Sequence, residues 1–236
     1  MAVSFDRIRR NFNKRIEEPV RKHLRNVYAC LALSAASATA GCYLNIYANL
    51  MSGGFLTILP AIGLLLALRY TAPDGKNNKL RMGYLLGFAF FAGIGMGPLV
   101  NYAIALDPSI IVTALVGTIL IFSSFSLSVL FAPRGYWLFI GGPISTVLSA
   151  MFFLSLANIF FAVQWVYQVN LYVGLLLMCG FVIYDTTIIM EKCRMHDKDF
   201  IMHSVDLFID LVSIFKRLII ILTEKEKNAR YRRAAL

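Results

Sequence analysis

The chain is poor in charge. Only 15% of its 236 residues are Asp, Glu, Lys or Arg, while 58% are hydrophobic, and the apolar residues gather in blocks of membrane-spanning length. Soluble domains carry about a quarter charged residues, so this composition excludes an ordinary soluble domain and describes one polytopic membrane domain. The four cysteines, Cys30, Cys42, Cys179 and Cys193, show no CxxC spacing and read as buried packing thiols. There is no Asn-x-Ser/Thr sequon. No short apolar stretch with a small-residue cleavage site opens the chain, so the first apolar block is expected to be an uncleaved anchor. No basic stripe with interleaved aromatics lies outside the apolar blocks, and the net charge of +10 is therefore not a nucleic-acid signal.

What is present is a run of seven apolar segments, predicting an all-α polytopic membrane helical bundle. The candidate spans are Val27 to Leu50, Gly54 to Tyr70, Met82 to Ile104, Ile110 to Phe131, Trp137 to Val163, Tyr167 to Met190 and Ile201 to Leu222, each near the roughly 20 residues that a bilayer helix requires. This divides the chain into a basic segment 1–26, a membrane domain 27–223 and a basic tail 224–236. Eight Lys and Arg precede the first span. Arg69, Lys76, Lys79 and Arg81 flank the second connection, Arg134 the fourth, and Lys192, Arg194 and Lys198 the sixth; the first, third and fifth carry none. The positive-inside rule then puts the N-terminus and the even connections in the cytosol. Seven crossings would place the basic tail on the other side, against the same rule, so the count of six or seven stays open, with the last segment the suspect for incomplete crossing. The tail triplet Arg230-Tyr231-Arg232 is of a kind that endoplasmic-reticulum retention machinery reads.

Segment 1–26 is expected to hold a partly amphipathic surface helix interrupted by Pro19. Pro73 to Asn78 and Asp107-Pro108 mark tight turns, and the shortness of all connections favours antiparallel neighbours. The glycines from Gly87 to Gly97, including the Gly93/Gly97 pair, are read as a close-packing face. Asn101 and Asn158 are expected to be interhelical hydrogen-bond partners.

Three carboxylates sit within the last two apolar segments: Asp185, Asp206 and Asp210. An ionised Asp at the centre of a membrane helix costs roughly 2.5–3.5 kcal/mol on insertion scales, so each must be paired, protonated or wetted. Asp206 and Asp210 are one helical turn apart and share a face. Counted from a loop centred near His196, Asp185 and Asp210 fall at comparable depth, which makes a cross-helix pair geometrically reasonable. Two such carboxylates in contact share one proton and titrate as a unit; ionised, they are oxygen ligands suited to calcium. The alternative is a set of structural polar contacts. His196 and His203 form no metal cluster with Cys or a second His, and Lys216 and Arg217 are expected to snorkel or to neutralise an Asp.

Segments HLRNVYACLAL (23–33), LGFAFFAGIGMGPLV (86–100), DPSIIVTALVGT (107–118), LFIGGPIS (138–145), NLYVGLLLMCGFVIYDT (170–186) and VDLFIDLVSIFKRLIIIL (205–222) resemble the transmembrane Bax inhibitor motif family, in its Bax inhibitor-1 branch. The resemblance implies helices arranged around a central one, residence in the endoplasmic-reticulum membrane, suppression of stress-induced cell death, and a calcium leak that responds to pH. It implies a pH-sensing pair at Asp185 and Asp210, Asp206 as an additional pore ligand, and a latch arginine for which Arg69 is the candidate and Arg81 the competitor. Calcium and protons are then the transported species, with no cofactor, and Bcl-2-type apoptosis regulators and calcium-release channels are the implied protein partners.

Other functions compete. An intramembrane aspartyl protease would need a GxGD motif around its second Asp, whereas Leu207-Phe208-Ile209-Asp210 stands there. A retinal-type receptor would need a mid-span lysine, and Lys216 lies near the end of its apolar run. A non-conducting scaffold for apoptosis or calcium-release proteins is the alternative that the sequence leaves open.

Overall fold

The computed structural model describes residues 16–48, 55–161 and 163–234. It is an all-helical bundle: among the described residues there are seven α-helices and no strand. They are α1 (Glu18–Ala48), α2 (Phe55–Tyr70), α3 (Asn78–Leu106), α4 (Ser109–Phe131), α5 (Gly141–Phe161, preceded by a 3₁₀ turn at Leu138–Ile140), α6 (Gln164–Arg194) and α7 (Phe200–Ala234). By length and composition α1, α3, α4, the 3₁₀–α5 stretch and α6 are candidate membrane spans, and α2 is a shorter apolar helix. The charges of α7 keep it outside that set.

Helix ends depart from the apolar blocks for local reasons. Pro19 does not interrupt a helix; it sits in the first turn of α1, where a missing N–H costs nothing. The surface helix expected upstream falls on residues 1–15, outside the described residues. Nor is the tail a separate segment, because α7 continues through it to Ala234, supported by the Arg230–Glu226 pair one turn apart. Two polar expectations fail. Asn101 is exposed, and Asn158 accepts a 2.7 Å hydrogen bond from the Val163 amide, finishing the end of α5 instead of bridging helices.

The chain divides into two compact units, one comprising residues up to Asn26 with Ile119–Lys198, the other Val27–Thr118 with Asp199 to the C-terminus. In the first, α5 packs on α6 around Ile144, Met151 and Leu177, and the Tyr184 ring lies where a Cβ on Gly141 would stand. Ser126 and Thr186 hydroxyls, 3.4 Å apart, connect α4 with α6. Glu191 receives Arg194 at 2.5 Å and Arg134 at 3.2 Å. Helix α6 ends where His196 takes φ +70° and the Asp197 amide reaches back to the Lys192 carbonyl, a left-handed stop.

In the second unit, α2 and α3 form an antiparallel hairpin. Its turn is held by Asp74, whose carboxylate accepts from the Lys76 and Asn77 amides, and by Gly75 at φ +81°. Helices α1 and α3 run parallel and nearly touch: Ser37 donates to the Leu86 carbonyl at 2.8 Å. A Cβ on Gly41 would strike the Phe90 carbonyl, one on Gly93 the Ala38 carbonyl, and one on Gly97 the Asn45 side chain. The glycines are thus the packing face expected of them, Gly93 and Gly97 toward α1 and Gly87 and Gly95 toward Leu64 and Thr57 of α2. Helix α7 lies parallel to α3 along its length. Arg81 meets Asp199 at their starts, Phe88 meets Phe208 edge-on with centroids 5.8 Å apart, Ile219 enters the core of Val100, Ala103, Ile110 and Ala114, and Arg230 donates to the Leu106 carbonyl at their ends. From Arg81 to Leu106 the helix rises about 38 Å, more than the ~30 Å hydrocarbon core, so α7 traverses whatever depth α3 traverses.

Substitutions within α3 test this packing. Gly93→Ala forces a backbone carbonyl to move and is expected to cost about 1–3 kcal/mol. Gly83→Ala meets nothing within 4 Å and is expected to stabilise by about 0.5–1 kcal/mol through helix propensity. Thermal unfolding of the two purified variants in detergent should shift in opposite directions.

Candidate functional site

Helix α7 carries an apolar and a polar stripe along its membrane-length portion, with the buried Leu207 and Ile214 beside the polar one. At about 100° per residue, Ile201, Val205, Phe208, Val212, Phe215, Ile219 and Leu222 form an apolar stripe, of which Phe208 meets α3 and Phe215, Ile219 and Leu222 join the core that α3 and α4 build. His203, Asp206, Asp210, Ser213 and Arg217 follow the same alternation of three and four and form a second stripe on the opposite side. That polar stripe is not a solvated face. His203 is 2% and Asp210 4% exposed, and Asp206 and Arg217 are half-buried. Lys216, one position off the stripe, is exposed.

Just before this stripe, at the cap of α7, stands an ion pair with α3. Asp199 caps α7, accepting the Met202 amide at 3.1 Å, and the same carboxylate takes both terminal nitrogens of Arg81, at 2.8 and 2.5 Å. Such two-point Arg–carboxylate geometry fixes orientation as well as distance. The Arg81 and Asp199 side chains are 3% and 14% exposed. Burial pushes the Asp199 carboxyl up, but the Arg81 hydrogen bonds, the Met202 amide and the charges of Arg81 and His203 outweigh it and leave it below the ordinary carboxylate value.

Asp206 and Asp210 are thus brought together, one turn apart, within the second unit. Asp185 stands half-buried on α6 in the first unit, beside the buried Thr186 and Thr187. Arg69, the latch candidate, is exposed in the last turn of α2; the buried guanidinium of that unit is Arg81, engaged with Asp199. Among the described residues no group of three His, Cys, Asp or Glu side chains gathers as a metal cage. All four cysteines are free, three of them buried and Cys42 partly so. Asp199 was absent from the sequence-derived candidates, although an Asp immediately before an apolar helical run is a standard N-cap signal. Its partner lies 118 positions away, and no local pattern points to it.

Over residues 20–227 the chain matches the family described as inhibitor of apoptosis-promoting Bax1. It is 44% identical over 213 residues to Bax inhibitor 1 of Rattus norvegicus, covering 90% of each chain. It is 41% identical over 214 residues to the Drosophila melanogaster protein of that name (91% of this chain, 87% of the relative). The Arabidopsis thaliana protein of that name is 36% identical over 226 residues, covering 95% of this chain and 89% of the relative.

The Arg81–Asp199 pair generates a double-mutant cycle. Arg81→Met strands a buried carboxylate and Asp199→Leu a buried guanidinium, each costing about 3 kcal/mol, whereas the double variant is expected to recover most of the loss. Because the folded pKa of Asp199 is depressed, the pair contributes fully above the unfolded value of about 4 and is lost as pH falls through the folded value. Thermal unfolding of wild type should therefore lose this increment below about pH 4, and the double variant should not.

Proposed function

We propose, since the chain belongs to the family of inhibitors of apoptosis-promoting Bax1, that it is an anti-apoptotic multi-pass membrane protein and that it acts as a pH-sensitive calcium leak of the endoplasmic reticulum. The observation that carries the transport reading is the burial of Asp210 on the polar stripe of α7, opposite the apolar face. Acidic groups placed inside a hydrophobic bundle, away from the stripe that packs it, are placed there at a free-energy cost that packing alone does not explain.

In this reading Asp185 and Asp210 hold one proton between them and Asp206 adds oxygen ligands for a passing hard cation. Protonation removes the charge that attracts the ion and also alters the attraction between helices, so pH gates flux without catalytic turnover. Calcium is cargo, moving from lumen to cytosol down its gradient. The N-terminus is cytosolic, on the side of the Lys- and Arg-bearing connections. Lower calcium load in the reticulum is the route by which such a leak would restrain stress-induced death, with Bcl-2-type regulators and calcium-release channels as neighbours in that pathway.

Reconstitution of the purified protein in calcium-loaded liposomes tests the reading. Wild type should release calcium with a strong dependence on external pH, and Asp210→Asn and Asp185→Asn should each flatten that dependence. A leak whose pH profile survives Asp210→Asn rejects the sensor. No leak from wild type rejects transport and favours the non-conducting scaffold.

A further inference from the structure

The ends of α4 and α6 and the connection that leaves α4 surround a cavity of about 40 Å³, lined by Leu130, Arg134, Trp137, Met190, Glu191 and Arg194 among others, all within the first unit. The connection is a fixed wall. The Tyr136 amide donates to the Pro133 carbonyl, Leu138 to Gly135 and Ile140 to Trp137, with Gly135 at φ +69°. These turns set Trp137 in an aromatic cluster, edge-on to Tyr136 with centroids 5.0 Å apart and stacked with Phe139 at 6.5 Å.

Among the described residues, two donors in this wall lack an acceptor. The Trp137 indole N–H is buried without a hydrogen-bond partner, and so is Nε of Arg194, whose side chain is 9% exposed. A buried tryptophan usually places its N–H on an acceptor, and leaving the donor unpaired is costly. Arg134 lines the same cavity, largely exposed and held to Glu191 by one contact at 3.2 Å. The two arginines outnumber the single lining carboxylate, Glu191. Glu17 stands 3.4 Å from Arg194, but its own side chain is 58% exposed and its charge is screened by solvent. Tyr136 and Phe139 are exposed where the apolar run of α5 begins, the level at which aromatic rings meet lipid headgroups. Unpaired donors, a cationic excess and an interfacial ring cluster together describe an anion held at the bilayer surface.

We propose that this cavity binds the headgroup of an anionic lipid whose phosphate is a monoester, with Trp137 and Arg194 donating to its oxygens from within and Arg134 closing over it. The size sets the class. About 40 Å³ is space for roughly three water-sized oxygens, the number of terminal oxygens on a phosphate monoester. A diester presents two and must fit a second substituent beside them. Arg134 exchanges its single contact with Glu191 for a two-point contact with the phosphate. The assignment stands apart from the transport reading, since it needs only that the chain lies in a membrane.

Native mass spectrometry of the full-length protein in neutral detergent tests it, by titration with the dioctanoyl forms of phosphatidic acid, phosphatidylserine and phosphatidylcholine and with inorganic phosphate as competitor. Wild type should take up one phosphatidic acid about tenfold more tightly than either diester lipid. Trp137→Phe, which keeps a ring and removes the N–H, and Arg134→Gln should each weaken that binding about tenfold. Lys79→Gln, exposed in the other unit, should leave it unchanged. Each variant is checked for a wild-type unfolding temperature, and Arg134→Gln carries the comparison should Trp137→Phe fold poorly. Equal uptake of the three lipids, or undiminished phosphatidic acid binding in the folded variants, would overturn the assignment. Displacement of the lipid by equimolar inorganic phosphate would also overturn it, making the cavity a soluble-anion site, and absence of any uptake would reduce it to a pocket for water.

Discussion

The contact between Arg81 and Asp199 decides what α7 can present. Asp199 is at once the N-cap of the helix and the partner of a guanidinium 118 positions earlier, so one carboxylate fixes where α7 begins, against which helix, and in what rotation. A helix started one residue later would turn by about 100°, carrying Asp210 off the buried side and an apolar residue onto it. The cap and the pair also explain why a half-desolvated aspartate is tolerated at this position: three charge-assisted or dipolar donors reach it, and the ion pair is anchored at both ends instead of depending on mobile surface chains.

With that start fixed, the rest of α7 resolves into two opposed stripes, and each has a structural consequence. The apolar one follows α3 from Phe88 to Ala103 and ends where Arg230 reaches the Leu106 carbonyl, so the helix is held along a length greater than a bilayer core. The glycines of α3 make room on another side, where α1 approaches to backbone contact. A helix gripped this way can carry ionisable groups that a lipid-facing span could not. Its basic tail lies beside the turn after Leu106, remote from the Arg81 end, which favours a full seventh passage over the charge rule that argued for six.

Much of this architecture was legible in the residues. Apolar blocks located each of the seven helices, most ends to within about four residues, but α1 begins nine residues before its block and α7 runs twelve residues past its own, and the small residues between Gly87 and Gly97 announced a close approach. Which helix approaches was not legible, because Ala38, Gly41 and Asn45 are ordinary members of an apolar span until α3 is laid on them. Asn101 and Asn158 misled for a related reason: an amide in an apolar block satisfies itself as readily at a helix end or outward as across an interface. Asp206 and Asp210 were readable as a pair from spacing alone. The Arg81–Asp199 contact joins two loop-edge residues 118 positions apart; charge counting read Arg81 as a topology signal and the family resemblance as a competing latch, and Asp199 entered neither reading.

The most direct test of the account is amide hydrogen–deuterium exchange of wild type and Arg81→Met in lipid nanodiscs. If the ion pair sets the position of α7, amides from His203 to Asp210 should exchange slowly in wild type and much faster in Arg81→Met, while α5 and α6 stay unchanged. Equal protection of that segment in the two proteins would contradict the claim that the pair holds the helix in place.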